Sequence, residues 1–310
     1  MAPGFTVHLD QRYPSSRERD LTLYADVYLP ARPSPLLLIF HGWHGDRRSS
    51  RHTAELFARD YVVVNVDMRG RGGSGGRPDV NGWELLDAVD ALDFARQAYA
   101  DHISNPGRAY CLGGSGGGGN VCALLGKFPD LFAAGAALCG VSDYAAWYRG
   151  DTVGEFRDEM DVWIGVHPDA APDAYRARSG IDLLENLATP LLVYHGDADA
   201  RVPVEMGRRY AARAQALGKP VTYIELEGVG HAIDHAALAA DIHAFFQAHA
   251  EPPRLASRGR LVVGGYVQTR AGRIELPSPD AFGMVHYEID AGGRLVVVES
   301  TPPGMQPRIV

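Results

Sequence analysis

Residues 108–127 read RAYCLGGSGGGGNVCALLGK, an apolar strand-like run that dissolves into glycine at Gly113 and resumes as a helical pattern from Gly116. A strand that passes directly into a helix through Gly-Gly-Ser-Gly-Gly needs small residues, because the backbone at such a turn is strained and closely packed. The turn projects one side chain, Ser115. The helix N-terminus behind it offers free N–H groups to a developing oxyanion. A glycine-rich turn that happens to contain serine is the plain alternative.

Working outward, strand-like runs open at residues 5, 22, 36, 61, 108, 134, 191 and 221, and helical patterns at 50, 83, 116, 204 and 235. Several runs are continuously apolar, such as LLLIF at 36–40 and YVVVNV at 61–66. Strands buried on both faces of a parallel sheet read this way. Two antiparallel-looking strands followed by strand–helix alternation predict an α/β fold with a mostly parallel, doubly wound, eight-stranded sheet. Residues 141–189 break the rhythm as an aromatic-rich, cap-like insertion, and the alternation stops after Glu251-Pro252-Pro253. The expected division is a catalytic domain over 1–253 and a small antiparallel β appendage over 254–310.

The chain has 310 residues, 46% hydrophobic and 22% charged, enough for a full core and unlike a disordered or coiled-coil sequence. A net charge of −8 argues against a nucleic-acid partner. No apolar run reaches the roughly 18 to 20 residues of a membrane span, and residues 1–20 lack a signal-peptide pattern, so a cytoplasmic protein is expected. Of the 30 cations only Lys127 and Lys219 are lysines. The arginines are scattered, which fits a compositional bias better than an anion site. The three cysteines, Cys111, Cys122 and Cys139, form no metal-site spacing and read as reduced core thiols.

A serine nucleophile needs a base, and the base needs an orienting carboxylate. LLVYHGDADARVP places Asp199 just past a strand, and EGVGHAIDH places His231 after the last strand. In the spacing H-G-x-x-D-x-x-V-P the aspartate three residues after the glycine is Asp199; Asp197 is its competitor. His235, four residues beyond His231, could imitate a zinc pair, but HAIDH lacks the glutamate beside the first histidine. His41-Gly42-Trp43-His44-Gly45 follows the LLLIF strand, so the backbone N–H groups of Trp43 and Gly116 are the expected oxyanion-hole donors. Asp67 and Arg69, in DMRGRG, read as braces of their loop. His44, Tyr144, Trp147 and Trp163, with Trp43, are expected to line an apolar acyl or alcohol pocket over Ser115, although aromatics at such spacing more often form plain core.

These motifs give the chain a family likeness. It resembles the α/β-hydrolase superfamily, and within it the catalytic domain of the prolyl oligopeptidase family and related acyl esterases. The likeness covers roughly residues 20–250 and rests on HGWHG, DMRGRGGSGG, GGSGG, HGDADARVP and GVGHAI. It implies the chain order Ser115, Asp199, His231 and no metal or organic cofactor. Full-length oligopeptidases of that family carry an N-terminal propeller; only about 20 residues precede the pattern in this sequence. A serine carboxylesterase acting on small esters is therefore the expected function. The alternative is a peptidase acting on small peptides or aryl amides, with Asp151, Glu155, Asp158, Glu159 or Asp161 holding the peptide ammonium. These acids also read as a solvated helix face. A dead hydrolase fold serving as a binding protein would have lost a triad member, and none is missing. The appendage is expected to dock on the catalytic domain or to pair with a second subunit, making a homo-oligomer.

Overall fold

The apolar runs become the inner strands of one sheet, because each has to bury both of its faces. The computed structural model describes residues 4–302 and 304–310. Its main sheet comprises β1 (Phe5–Pro14), β2 (Thr22–Pro30), β3 (Leu36–Phe40), β4 (Val62–Val66), β5 (Ala109–Gly114), β6 (Ala134–Leu138), β7 (Leu191–Gly196) and β8 (Val221–Leu226). Their order is β1-β2-β4-β3-β5-β6-β7-β8, antiparallel at the β1 edge and parallel from β4 to β8. This is the α/β-hydrolase arrangement.

Five helices cover the two faces: α1 (Arg51–Phe57), α2 (Glu84–Ala98), α3 (Gly116–Lys127), α7 (Glu205–Ala216) and α8 (His235–Ala248). Leu36, Leu38 and Phe40 of β3 pack in one core with α2, α3 and α7, while Leu37 and Ile39 pack in another with α1 and α8. That alternation along one strand is the period-two consequence of the pleat. The insertion between β6 and β7 holds three further helices, α4 (Tyr144–Gly150), α5 (Glu155–Trp163) and α6 (Pro172–Arg176), around a core of their own. No helix of the described residues is long and apolar enough to cross a membrane.

The tail forms a second, antiparallel sheet of six strands in the order β13-β12-β9-β10-β11-β14. They are β9 (Arg258–Gly264), β10 (Tyr266–Thr269), β11 (Gly272–Glu275), β12 (Phe282–Ile289), β13 (Leu295–Thr301) and β14 (Arg308–Ile309). The run 260–267 reads as one strand in sequence, but the chain folds back at Gly265, where φ is +71° and a Cβ would fall 2.8 Å from the Pro279 backbone. Only glycine accepts that combination. The pairing of β14 with β11 has no counterpart in the sequence reading.

This sheet docks on its own chain. Val262 and Tyr266 join the core on the α2–α3 face of the main sheet. The Tyr266 ring stacks on Trp83 at 5.1 Å, and the Asn186 amide group donates to Gly126 O at 2.8 Å and Val262 O at 2.7 Å. At the same junction the wholly buried Lys127 ammonium donates to Gly264 O and lies 4.5 Å from the Tyr266 ring centroid.

Burial, assisted by the nearby Arg178 charge, pulls the Lys127 ammonium down to about 7. An unfolded lysine titrates near 10.4. Between these two values the unfolded chain binds a proton that the folded chain does not, so this residue makes stability rise with pH across that window. Replacing it with the apolar Lys127→Met is expected to flatten the pH 7–10 slope of unfolding free energy, measured by urea titration. Parallel slopes for the two proteins would show that the lysine is charged throughout.

Candidate active site

All the expected polar site residues lie at the C-terminal ends of the parallel strands, where loops from different strands converge. Ser115 follows β5 at φ 57°, ψ −123°, a positive-φ conformation rare for a residue with a Cβ. Two glycines make this turn sterically feasible. A Cβ on Gly117 would sit 2.6 Å from Phe40 O, and one on Gly116 would sit 2.6 Å from Trp43 N. That close approach packs the Trp43 backbone N against Gly116, the residue after Ser115, and neither amide has an acceptor among the described residues.

The His231 Nε2 atom lies 2.9 Å from Ser115 Oγ, and its Nδ1 lies 2.8 Å from Asp199 Oδ2. Asp199 follows β7 and is nearly buried; its Oδ1 accepts the backbone N–H groups of Arg201 and Val202, both at 2.9 Å. Burial alone would raise the Asp199 carboxyl. Bonds to His195 and His231 and the two amides outweigh burial and hold it far below the usual carboxylate range. It is an anion at every working pH, which fixes Nδ1 of His231 as the protonated nitrogen and leaves Nε2 to accept from Ser115.

The competitors fall elsewhere. Asp197 Oδ1 accepts the Gly228 N–H at 2.7 Å and touches no histidine. His235 opens α8, with Nδ1 2.8 Å from Thr53 Oγ1, and burial lowers its pKa. Asp67 accepts N–H bonds from Arg47 and Gly73 at 2.7 Å each, and Arg69 pairs with Asp87 and Glu18, so both brace loops.

The sequence reading gave three neighbours of the site no contact with it. His195, wholly buried at the end of β7, has Nε2 2.9 Å from Val202 O and 3.5 Å from Asp199 Oδ2, the same oxygen that His231 approaches. It is the histidine that opens H-G-x-x-D, so its signal was present. Cys139, read as a plain core thiol, stands at φ 43° on the wall of the site, with Sγ 3.5 Å from His231 O; burial pushes its thiol up to about 12. Among the described residues one set of potential metal donors converges, Cys139, Asp199 and His231, whose ligand atoms lie within 4.8 Å of one another. Two of these three are already bonded to each other.

Glu159 is the third. On α5, it accepts the Trp43 indole N–H and lies 2.9 Å from His44 Nε2. Glu155, one turn earlier, accepts from Arg201 at 2.5 Å, and Arg201 N is bonded to Asp199. The insertion thus ties the loop after β3 to the loop after β7. Glu159→Ala is expected to lower kcat between tenfold and about a hundredfold with little change in KM, because a small displacement of a preorganised donor is expensive. An unchanged kcat would show that the Trp43 loop is held without it.

The aromatic residues are placed differently from expectation. Ser115 opens into a cavity of about 210 Å3 walled by Ser49, Ser50, Thr53, Cys139, Ile233 and His235, not by the insertion. Trp147 borders a separate cavity of about 300 Å3 with Phe156, Arg201 and Met206. Trp163 and Trp43, 5.1 Å apart, border a third of about 30 Å3 that reaches Gly116. His44 stacks on Phe156 at 5.7 Å. Tyr144 borders none of these three cavities: at 1% exposure it is core, its hydroxyl accepting from Asn81 at 3.2 Å.

The fold is that of the α/β-hydrolase superfamily, and the site sets Ser115, His231 and Asp199 in one hydrogen-bonded line. The chain belongs to the prolyl oligopeptidase family, whose profile matches residues 28–252. It is 27% identical over 228 residues to "Esterase LipC" of Mycobacterium tuberculosis, covering 66% of this chain and 55% of that protein. It is 26% identical over 222 residues to "Dipeptidyl peptidase family member 6" of Caenorhabditis elegans, covering 68% of this chain and 30% of that one. The chain therefore spans about half, or less, of the length of these relatives. In structure it resembles a Mycobacterium tuberculosis puromycin-hydrolyzing peptidase with a TM-score of 0.67 at 22% identity, covering 80% of this chain and 40% of that one.

Proposed function

We propose that the chain is a serine carboxylesterase acting on small esters through an acyl-enzyme on Ser115. The observation that carries this reading is the continuous hydrogen-bonded chain Ser115–His231–Asp199 beside the free amides of Trp43 and Gly116.

In the first step Ser115 Oγ bonds to the carbonyl carbon and gives its proton to His231 Nε2. The carbonyl oxygen becomes an oxyanion held by the Trp43 and Gly116 N–H groups, each donor contributing about 3 kcal/mol. Collapse breaks the bond to the alcohol, which leaves with the proton from His231. Water then repeats the sequence on the acyl-enzyme, releasing the acid and returning the proton to Ser115. Throughout, Asp199 keeps the imidazole in the tautomer that can accept from serine.

Ester is favoured over peptide by how the insertion spends its acids. An ammonium anchor needs an uncommitted carboxylate. Asp151 accepts four backbone N–H groups at the start of α5, Asp161 accepts the Tyr148 hydroxyl, Glu155 binds Arg201, and Glu159 binds Trp43 and His44. Asp158 alone is left, largely exposed beside Arg157.

The test is a rate comparison on graded p-nitrophenyl esters and aminoacyl p-nitroanilides. Higher kcat/KM on esters, by about two orders of magnitude or more, is expected. A preference for anilides would replace this reading with a peptidase.

A further inference from the structure

Arg71 lies on the loop after β4, with its guanidinium 4.4 Å from the Trp163 ring centroid. It borders the small cavity that also reaches Trp43 and Gly116, the two proposed oxyanion donors. Among the described residues it forms no ion pair, and neither does Arg77 on the same loop, which donates to Val162 O.

The carboxylates nearby are committed. Asp67 is held by Arg47 and the Gly73 amide, and Asp46 by Arg48. Glu84 is buried and accepts the Asn81 and Asp79 amides, while Glu159 accepts from Trp43 and His44. Arg47, Arg69 and Arg201 all face carboxylates. Arg71 therefore has no ion-pair partner among the described residues, although the buried Glu84 borders the same cavity.

The geometry suits a particular ligand. A guanidinium beside an indole and without an ion pair keeps N–H groups to offer a ligand. Its edge is a planar fork, complementary to a carboxylate and able to bond it in two places. The partly enclosed position strengthens such a pair relative to one in open water.

We propose that Arg71 reads a carboxylate on the substrate, so that the preferred substrates are anionic carboxylic esters carrying a second carboxyl group close to the scissile bond. This rests on the esterase reading of the same site. Arg71 takes no part in the bond-making steps; it is a specificity residue.

The experiment compares three esters of similar size on the wild-type chain, Arg71→Gln and Arg71→Lys. p-Nitrophenyl butyrate is neutral, p-nitrophenyl hemisuccinate carries the carboxylate on the acyl side, and 4-(butyryloxy)benzoate carries it on the leaving group. One of the two anionic esters is expected to exceed the butyrate in kcat/KM by roughly 10- to 100-fold, the size of one charged hydrogen-bonded pair. Arg71→Gln should abolish that advantage through KM while leaving butyrate turnover within about twofold, and Arg71→Lys should keep part of it. Added salt should erode the preference.

A wild-type protein active on butyrate but indifferent to both carboxylates overturns the inference alone. So does an Arg71→Gln variant that slows all three esters equally. Failure to turn over any ester, with no fluorophosphonate labelling of Ser115, overturns the esterase reading itself, and this inference with it.

Discussion

Ser115→Ala is expected to lower kcat by about 10⁴- to 10⁶-fold, because removing one member of a coupled triad collapses the covalent route. The fold should survive, since alanine keeps the Cβ and inherits the same φ of 57° that serine tolerates. A second variant separates chemistry from strain. Ser115→Gly removes the Cβ that makes this backbone conformation costly, a penalty of order 1–3 kcal/mol. It should be equally inactive yet more stable than Ser115→Ala in urea unfolding. A fluorophosphonate should label the wild-type chain once and label neither variant. Stoichiometric labelling of Ser115→Ala would place the nucleophile elsewhere, and comparable turnover would remove the acyl-enzyme from the mechanism.

What could be read from the sequence depended on how local each feature is. LLLIF and YVVVNV announced strands buried on both faces because burial of every position leaves no polar phase to misread. The order of Ser115, Asp199 and His231 was legible because each sits a few residues past a strand that is itself unmistakable. The same logic fails for contacts between distant segments. Nothing near Glu159 in the chain says that its carboxylate meets the Trp43 indole 116 positions away. The acids of α5 read as an ammonium site or a solvated face; Glu155 and Glu159 instead turn to Arg201, Trp43 and His44, while Asp158 stays largely exposed. Cys139 looked like core because its neighbours Ala134–Leu138 are core; the positive φ that swings it to the His231 loop leaves no mark on composition. Tyr144 and Trp147 lie on an apolar helix face that serves the insertion's own small core; Trp147 also borders the cavity beside Arg201, and Tyr144 borders none of the three cavities. The cavity at Ser115 is walled by α1 and the start of α8. These segments adjoin only after the sheet has formed.

The choice between the two aspartates carries an equally large expected effect. Asp199→Asn is expected to lower kcat by about 10⁴-fold, whereas Asp197→Asn should stay within a few-fold of the wild type. The asymmetry follows from what surrounds each carboxylate. Asp199 uses both oxygens as acceptors, Oδ1 for the Arg201 and Val202 amides and Oδ2 for His231 Nδ1. An asparagine must put its NH2 on one side or the other. Toward His231, it donates to Nδ1 and forces the proton onto Nε2, where it blocks transfer from Ser115. Toward Arg201 and Val202, it sets donor against donor in a nearly buried site, which costs stability and displaces the loop. Neither orientation preserves the tautomer the reaction needs. Asp197 accepts a single bond, from the Gly228 N–H, and the carbonyl oxygen of an asparagine accepts it equally well. The two variants should be compared in kcat and in the rate of fluorophosphonate labelling, since labelling reports activation of Ser115 without product release. If Asp197→Asn proves the more damaging, His231 is oriented from the β8 side of its loop, and the hydrogen bond seen between Asp199 and His231 is not the one used in turnover.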